Sequence, residues 1–146
     1  MFNFVYFLNQ YYVQQNYSHA YDWQYGYAQA IPQLEELKGQ YKKIVVSNLA
    51  PMEKSYMFFL FYLQYPPQEY QNSISHKPNS SSDVHRFGSY ELRKIRWVAE
   101  KDTNGVLYVG TKKDFPGDIV FRKAILYPDG TPAILFVDPK DNKKKI

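Results

Sequence analysis

Residues 42–65, KKIVVSNLAPMEKSYMFFLFYLQY, decide the fold class of this chain. The run 44–46 is short and β-branched, and it ends in the polar pair Ser47-Asn48, which is typical of a buried strand whose carboxyl end opens onto a loop. The run 52–65 that follows contains no Val, Ile or Thr and is long for a strand, so it predicts a buried helix. A strand followed by a helix indicates an α/β or α+β fold.

The segments on either side extend this pattern. Before the strand, residues 23–37 have apolar positions at helical spacing, with Asp22 as the N-cap. Pro32 predicts a kink or a restarted helix, and Gly39 is a stop signal. After the predicted helix, residues 66–88 are rich in Pro, Ser and Asn and predict a long loop.

The second half of the chain predicts four strands, at residues 90–98, 106–110, 120–127 and 132–137. The last two flank the turn Pro128-Asp129-Gly130-Thr131, where Pro sets φ and Gly takes the left-handed position, so they predict a β-hairpin. The expected fold is therefore a single-domain α/β (α+β) sandwich with a mixed sheet of about five strands, two main helices and a C-terminal β-hairpin.

Composition excludes several classes of function. The chain has no cysteine, which rules out disulfides, thiolate nucleophiles and cysteine metal sites. The net charge of +4 comes mostly from residues 140–146, where four lysines face Asp141. We interpret this stretch as a basic tail after a near-neutral domain at 22–139, and we expect no nucleic acid partner. If the tail binds anything, an anionic membrane surface is as plausible as nucleic acid.

The N-terminal segment is unusually aromatic. The first 34 residues contain eleven aromatic side chains and one formal charge, Asp22. No run of 18 apolar residues is present, so no span is predicted, and a secretory signal is not indicated either. Tyrosine rings with polar tips collect at membrane–water boundaries. We therefore interpret residues 1–21 as a membrane-proximal leader, with four tyrosines at the boundary: Tyr6, Tyr11, Tyr12 and Tyr17.

Candidate chemistry is sparse. His76 and His85 lie in the predicted loop with Asp83 between them, which is too little preorganisation for a metal site. Asn48 follows a strand, where α/β folds often bind ligands, although a capping role explains it better. Tyr70 has the kind of ring that packs on sugars. A candidate ligand site therefore comprises Asn48, Tyr70, His76 and His85. No catalytic residue, metal or cofactor is predicted.

Four segments together resemble a known family. They are YDWQYGY at 21–27 with its following helix, KKIVVSN at 42–48, SYMFFLFYLQYPPQEYQ at 55–71 and FRKAILYPDGTPAILFV at 121–137. They look like the extracytoplasmic C-terminal domain that follows the last transmembrane helix of bacterial and archaeal membrane glycosyltransferases. Those enzymes are related to protein O-mannosyltransferases and to the lipid A aminoarabinose transferase, and they use polyprenyl-phosphate-linked sugars. The resemblance covers residues 11–137.

The resemblance implies an accessory role. In such enzymes the catalytic acidic residues lie in a membrane portion that this chain lacks, so no catalytic residue carries over. We expect an excised domain or a separate fragment, non-catalytic by itself, at the extracytoplasmic face of the cell membrane, shaping acceptor or substrate access. Implied partners are the membrane portion of the same enzyme, the membrane surface, a polyprenyl-phosphate sugar and a glycan or protein acceptor. The alternative is a free-standing carbohydrate- or peptide-binding module that uses the 66–88 loop.

Overall fold

The computed structural model describes residues 2–21, 25–75 and 84–143. In these ranges the helices are α1 (Phe2–Asn9), α2 (Gln15–Ser18), α3 (Tyr27–Leu37), α4 (Ser55–Tyr62), α5 (Pro67–Ser75), α6 (Trp97–Glu100) and α7 (Pro139–Asn142). A π-helical turn, Gln10–Gln14, joins α1 to α2. The strands are β1 (Lys43–Val46), β2 (His85–Phe87), β3 (Tyr90–Leu92), β4 (Val106–Gly110), β5 (Lys123–Leu126) and β6 (Pro132–Val137).

The described strands form one mixed sheet in the order β2-β3-β1-β4-β6-β5. At its centre, β3, β1 and β4 run parallel, while β2, β6 and β5 are antiparallel to their neighbours. The expected α/β class and the mixed sheet are confirmed, with six strands where about five were predicted. The predicted strand at 106–110 and the C-terminal hairpin are also present, and Gly130 takes φ 83° in the turn.

Alternating side chains divide the core between the two faces of the sheet. On one face, α3 and α4 cover the sheet, and Ile31, Leu34 and Phe59 pack against Ile44 and Val46. On the other face, Val45 and Tyr108 pack against Trp97 and Phe115. The two-sided burial explains why residues 44–46 are apolar without alternation.

Helix α3 begins later than the sequence pattern predicts. It begins at Tyr27, after Gly26, whose φ of 103° is a left-handed conformation that favours glycine. The predicted N-cap Asp22 and the predicted start at Trp23 lie outside the described residues. Pro32 lies inside one continuous helix on its exposed side, so no restart occurs.

Helix α4 is shorter and less buried than predicted. Only Ser55 and Phe59 are buried, while Met57, Phe61 and Tyr62 are exposed. Because its sequence is apolar throughout, this run has no periodicity that identifies a solvent-facing side. In the structure, α4 packs on the sheet with one side only. The predicted helix is therefore confirmed, while the prediction that it is buried was wrong for most of its side chains.

Parts of the predicted loop at 66–88 form regular secondary structure. Pro67 is the first residue of α5, a position where the missing N–H costs no helical hydrogen bond. Strand β2 then pairs antiparallel with β3. Of the predicted loop, residues 76–83 lie outside the described residues, and they include His76.

The predicted strand at 90–98 was wrong beyond Leu92. Strand β3 ends there; Ile95, in the connection that follows, and Trp97, the first residue of α6, are both buried. Apolar residues alternate along a strand, and those of a loop that returns to the core can have the same spacing. Periodicity alone therefore does not distinguish the two structures. The turn after β3 therefore brings Trp97 edge-on to Tyr108 and Phe115.

Residues of the predicted leader and tail also have regular structure. The N-terminal helical segment, defined here as residues 2–18, comprises α1, the π-helical turn and α2, where no helix was predicted. At the other end, α7 is capped by Asp138, and the Asn142 side chain hydrogen-bonds to the backbone of Val120. Residues 140–143 therefore pack on the domain in part.

Candidate functional site

The carboxyl ends of the parallel strands meet at one edge of the sheet. Ser47, Arg93 and Thr111 are the first residues after β1, β3 and β4. Backbone hydrogen bonds join these exits: Ser47 N–H donates to Val109 O at 2.8 Å, and Arg93 N–H donates to Val46 O at 2.9 Å. This edge is where open α/β sheets usually bind ligands, because several loops converge there.

A buried carboxylate organises this edge. Asp114 Oδ2 accepts hydrogen bonds from Thr111 N at 2.8 Å and from Thr111 Oγ1 at 3.0 Å. Its other oxygen accepts a bond from Ser47 Oγ at 2.6 Å. The bonds to Thr111 complete a capping box on the short 3₁₀ turn after β4. Both carboxylate oxygens are thus occupied within the protein, so we assign Asp114 a structural role.

A cleft beside this carboxylate joins apolar and cationic side chains. This edge cleft is lined by residues 94–99 and 113–116. Its inner part is formed by buried Ile95, Trp97 and Phe115. Exposed cations stand at its outside: Lys94, Arg96 and Lys113. The combination suits an amphipathic anion better than a neutral polar ligand.

The N-terminal helical segment has no buried side chain among those described. The segment contains no Asp, Glu, Lys or Arg. The predicted membrane-proximal tyrosines all lie on it and are all exposed, as are five other large apolar residues: Phe2, Phe4, Val5, Phe7 and Val13. Isolated exposed apolar residues are ordinary, but nine of them on one short helical segment form the kind of surface that marks an interaction site.

Tyr21 connects the N-terminal helical segment to the edge cleft. Lys113 Nζ donates a hydrogen bond to Tyr21 Oη at 3.3 Å and lies 5.9 Å from the centre of its ring. The Tyr21 ring also contacts Tyr127, which follows β5. The segment therefore joins the domain at the same edge of the sheet that carries the cleft.

Two of the four predicted ligand residues come together. Tyr70 Oη and His85 Nδ1 share a hydrogen bond of 2.7 Å, and the Tyr56 ring stacks on His85 with centroids 4.0 Å apart. Burial raises the pKa of Tyr70. Asn48 is half-buried at the end of β1, two strands from His85, while His76 lies outside the described residues.

Sequence reasoning missed the edge cleft. The signals were RKIRWV at 93–98 and KKDFP at 112–116, each of which puts cations beside apolar residues just after a strand. The predicted strand at 90–98 hid the first signal, because it placed Arg96 and Trp97 within the sheet.

A second group of cations surrounds a buried carboxylate on the sheet itself. Glu91, on β3, forms ion pairs with Lys43, Arg86 and Arg93. Arg93 also pairs with Glu100 at 2.8 Å. Burial by itself raises the pKa of Glu91, but hydrogen bonds and charge from Lys43 and Arg86 outweigh it, so the pKa is lowered.

Two features are absent from residues 2–21, 25–75 and 84–143. No group of three or more His, Asp or Glu side chains there could hold a metal ion. Among the helices there, none combines the length and the apolar character needed to cross a membrane.

Comparisons with protein-family models, with curated proteins and with solved structures each found no match.

Proposed function

We propose that this protein is a membrane-peripheral α/β domain whose N-terminal helical segment lies in the membrane–water interface. One observation carries the proposal: an uncharged helical segment exposes nine large apolar side chains. Lipid can contact exposed rings on every side of the helix, whereas a groove on a globular partner covers only one side.

The composition of the segment favours the interface over the hydrocarbon core. Residues 2–18 include seven side chains of Asn, Gln and Ser, whose desolvation in hydrocarbon is costly without partners. Gln10, Gln14 and Ser18 lie around one polar depression with His19. Tyr and Phe next to uncharged amides suit the headgroup level, where rings are dry and polar tips are wet.

The finer proposal is a role in the transfer of lipid-linked sugars. The order of the four segments that resemble the glycosyltransferase C-terminal domain supports it, together with an aromatic segment directly before the α/β body. In this proposal the domain is non-catalytic by itself, stands at the extracytoplasmic face of the cell membrane and shapes acceptor or substrate access. Its partners are the membrane portion of the enzyme, a polyprenyl-phosphate sugar and a glycan or protein acceptor.

Vesicle flotation tests membrane binding. The whole chain should float with neutral phosphatidylcholine vesicles, and the triple variant Phe2→Gln, Phe4→Gln, Phe7→Gln should lose about tenfold in partitioning for each ring removed. A matched control removes three exposed apolar residues from the body: Met57→Gln, Phe61→Gln and Phe121→Gln. Equal losses in both variants, or no flotation of the wild type, would rule the proposal out.

A transfer assay tests the finer proposal. The chain alone, given a polyprenyl-phosphate sugar and a glycan or peptide acceptor, should produce no transfer product. Product formation that persists after repeated purification would show that the chain is itself an enzyme.

The half-buried group of Tyr56, Tyr70 and His85 favours a second candidate, a carbohydrate- or peptide-binding module. Ring faces pack on the apolar faces of sugars. NMR titration with glycans and peptides distinguishes this candidate, which predicts saturable shifts at Tyr70 and His85. Shifts that stay absent at high ligand concentration eliminate it.

A further inference from the structure

We infer that the edge cleft is a binding site for the headgroup of acidic phospholipids. This contact determines which side of the domain faces the bilayer. This inference rests on the proposed membrane association and adds a second, charge-selective contact to it. The ligand is a phosphodiester anion whose apolar chains remain in the membrane.

The cations of the edge cleft are available for such an anion. Lys94, Arg96 and Lys113 are exposed and form no ion pair within the described part of the chain. The acidic residue that lines the cleft is Asp114, whose two oxygens are hydrogen-bonded to Ser47 and Thr111. The cleft therefore presents three cations and one carboxylate, and among the described residues that carboxylate forms no ion pair with any of them.

The cations around Glu91 are a weaker candidate for the same anion. Lys43, Arg86 and Arg93 converge on one carboxylate, and Arg93 is paired again with Glu100. An incoming phosphate has to compete there with a buried carboxylate that the fold already supplies. Among the described residues of the edge cleft, the one carboxylate, Asp114, forms no ion pair with the three cations and is hydrogen-bonded to Ser47 and Thr111 instead.

Apolar side chains in the cleft match the region just below the headgroups. Val98 is 86% exposed although its neighbour Trp97 is buried, and it lines the cleft together with Arg96. A protruding Val flanked by cations can enter the acyl boundary while the cations stay with phosphate.

The position of the cleft agrees with this orientation. Lys113 belongs to the cleft and also hydrogen-bonds to Tyr21, three residues after the N-terminal helical segment. When that segment lies in the interface, the cleft stands next to the headgroups without any change in the domain. The two contacts then bind one surface simultaneously, which raises their combined affinity.

Flotation on two kinds of vesicle separates this inference from the proposed function. One kind is pure phosphatidylcholine, and the other contains about a third phosphatidylglycerol, which is anionic. The wild type should prefer the anionic vesicles, and added salt should weaken the preference. The triple variant Lys94→Gln, Arg96→Gln, Lys113→Gln should lose about fivefold of that preference per cation, with binding to pure phosphatidylcholine unchanged.

The matched control removes the same charge elsewhere on the exposed surface: Lys54→Gln, Lys101→Gln and Lys123→Gln. It should retain most of the preference. If both triple variants lose the preference equally, net charge explains the binding and the cleft is not a site. If the wild type binds both vesicle types equally, the inference fails while the proposed function stands. Saturable NMR shifts at the cleft with soluble glycerol phosphate, without preference for anionic vesicles, would also overturn it in favour of a soluble ligand.

Discussion

Ser47 Oγ donates a 2.6 Å hydrogen bond to Asp114 Oδ1, which ties the residue after β1 to the turn after β4. The two residues are 67 positions apart in sequence and are both buried. Ser47 O also accepts a hydrogen bond from Ser55 Oγ at 3.2 Å, so the first residue of α4 joins the same network. The edge of the sheet that carries the cleft is therefore rigidly connected to the core.

Replacing the carboxylate of Asp114 should destabilise the fold. Asp114→Ala leaves the buried Thr111 N–H and the Ser47 hydroxyl without their acceptor, which costs about 2–4 kcal/mol. The free energy of unfolding from urea titration measures this. Asp102→Ala, at an exposed position, should stay within about 0.5 kcal/mol of wild type. A loss for Asp114→Ala as small as the control's would show that the network is dispensable.

Gly110 gives an independent test of the same packing. A Cβ at this position would lie 2.8 Å from Asp114 Oδ2 and 3.1 Å from its Cγ. Gly110→Ala should therefore destabilise by about 1–3 kcal/mol. The cost should be smaller in the Asp114→Ala background, because the crowded oxygen is gone. Additive costs in the double variant would contradict this, and Gly39→Ala, with no atom within 4 Å of the new Cβ, serves as control.

Local signals in the sequence were sufficient for the central and C-terminal strands. The run 44–46 is β-branched and bounded by polar residues, and the turn at 128–131 has Pro and Gly where its backbone needs them. Both features act over a few neighbouring residues. They can be recognised without knowledge of the rest of the fold, and both predictions were confirmed.

Features that depend on distant pairing were not predictable. Strand β2 is three residues long, which is too short for its sequence to show a periodicity. It forms a strand because it pairs with β3. Tyr70 and His85, both predicted as ligand residues, are hydrogen-bonded in the structure, and that bond requires the pairing of β2 with β3. The edge cleft required knowing that β3 ends at Leu92.

The charge of Glu91 should make the free energy of unfolding depend on pH. Because the pKa of Glu91 is lowered in the folded state, its contribution is present above the ordinary value of 4.5 and is lost as pH falls through the folded pKa. Glu91→Gln removes the charge that Lys43, Arg86 and Arg93 face, which should cost about 2–3 kcal/mol at neutral pH. Urea titration at several pH values measures both effects.

The comparison variant for Glu91 is Glu36→Gln, at an exposed position on α3. It should leave the neutral-pH stability within about 0.5 kcal/mol of wild type. The difference between wild type and Glu91→Gln should shrink as the solution is acidified. A difference that stays constant with pH would mean that the carboxylate keeps no charge-dependent role in the folded state.

Tyr41 should make stability fall at alkaline pH. Burial, with the hydrogen bond to Asp138 Oδ2 at 3.0 Å and its charge, raises the pKa of Tyr41 from 10.0 to about 12, against the opposing charge of Arg122. Between those values the unfolded chain loses the phenol proton while the folded chain keeps it. The contribution of Tyr41 is therefore complete below pH 10.0 and is lost as pH approaches about 12.

Two variants isolate this effect of Tyr41. Tyr41→Phe should be less stable than wild type by about 1 kcal/mol below pH 10.0, and the gap should narrow as pH rises, since only the wild type loses the contribution. Asp138→Asn removes the carboxylate charge that helps to raise the pKa, so its stability should fall with pH over a narrower window than that of the wild type. Parallel curves for wild type and Tyr41→Phe across the alkaline range would show that the phenol proton is not held by the folded state.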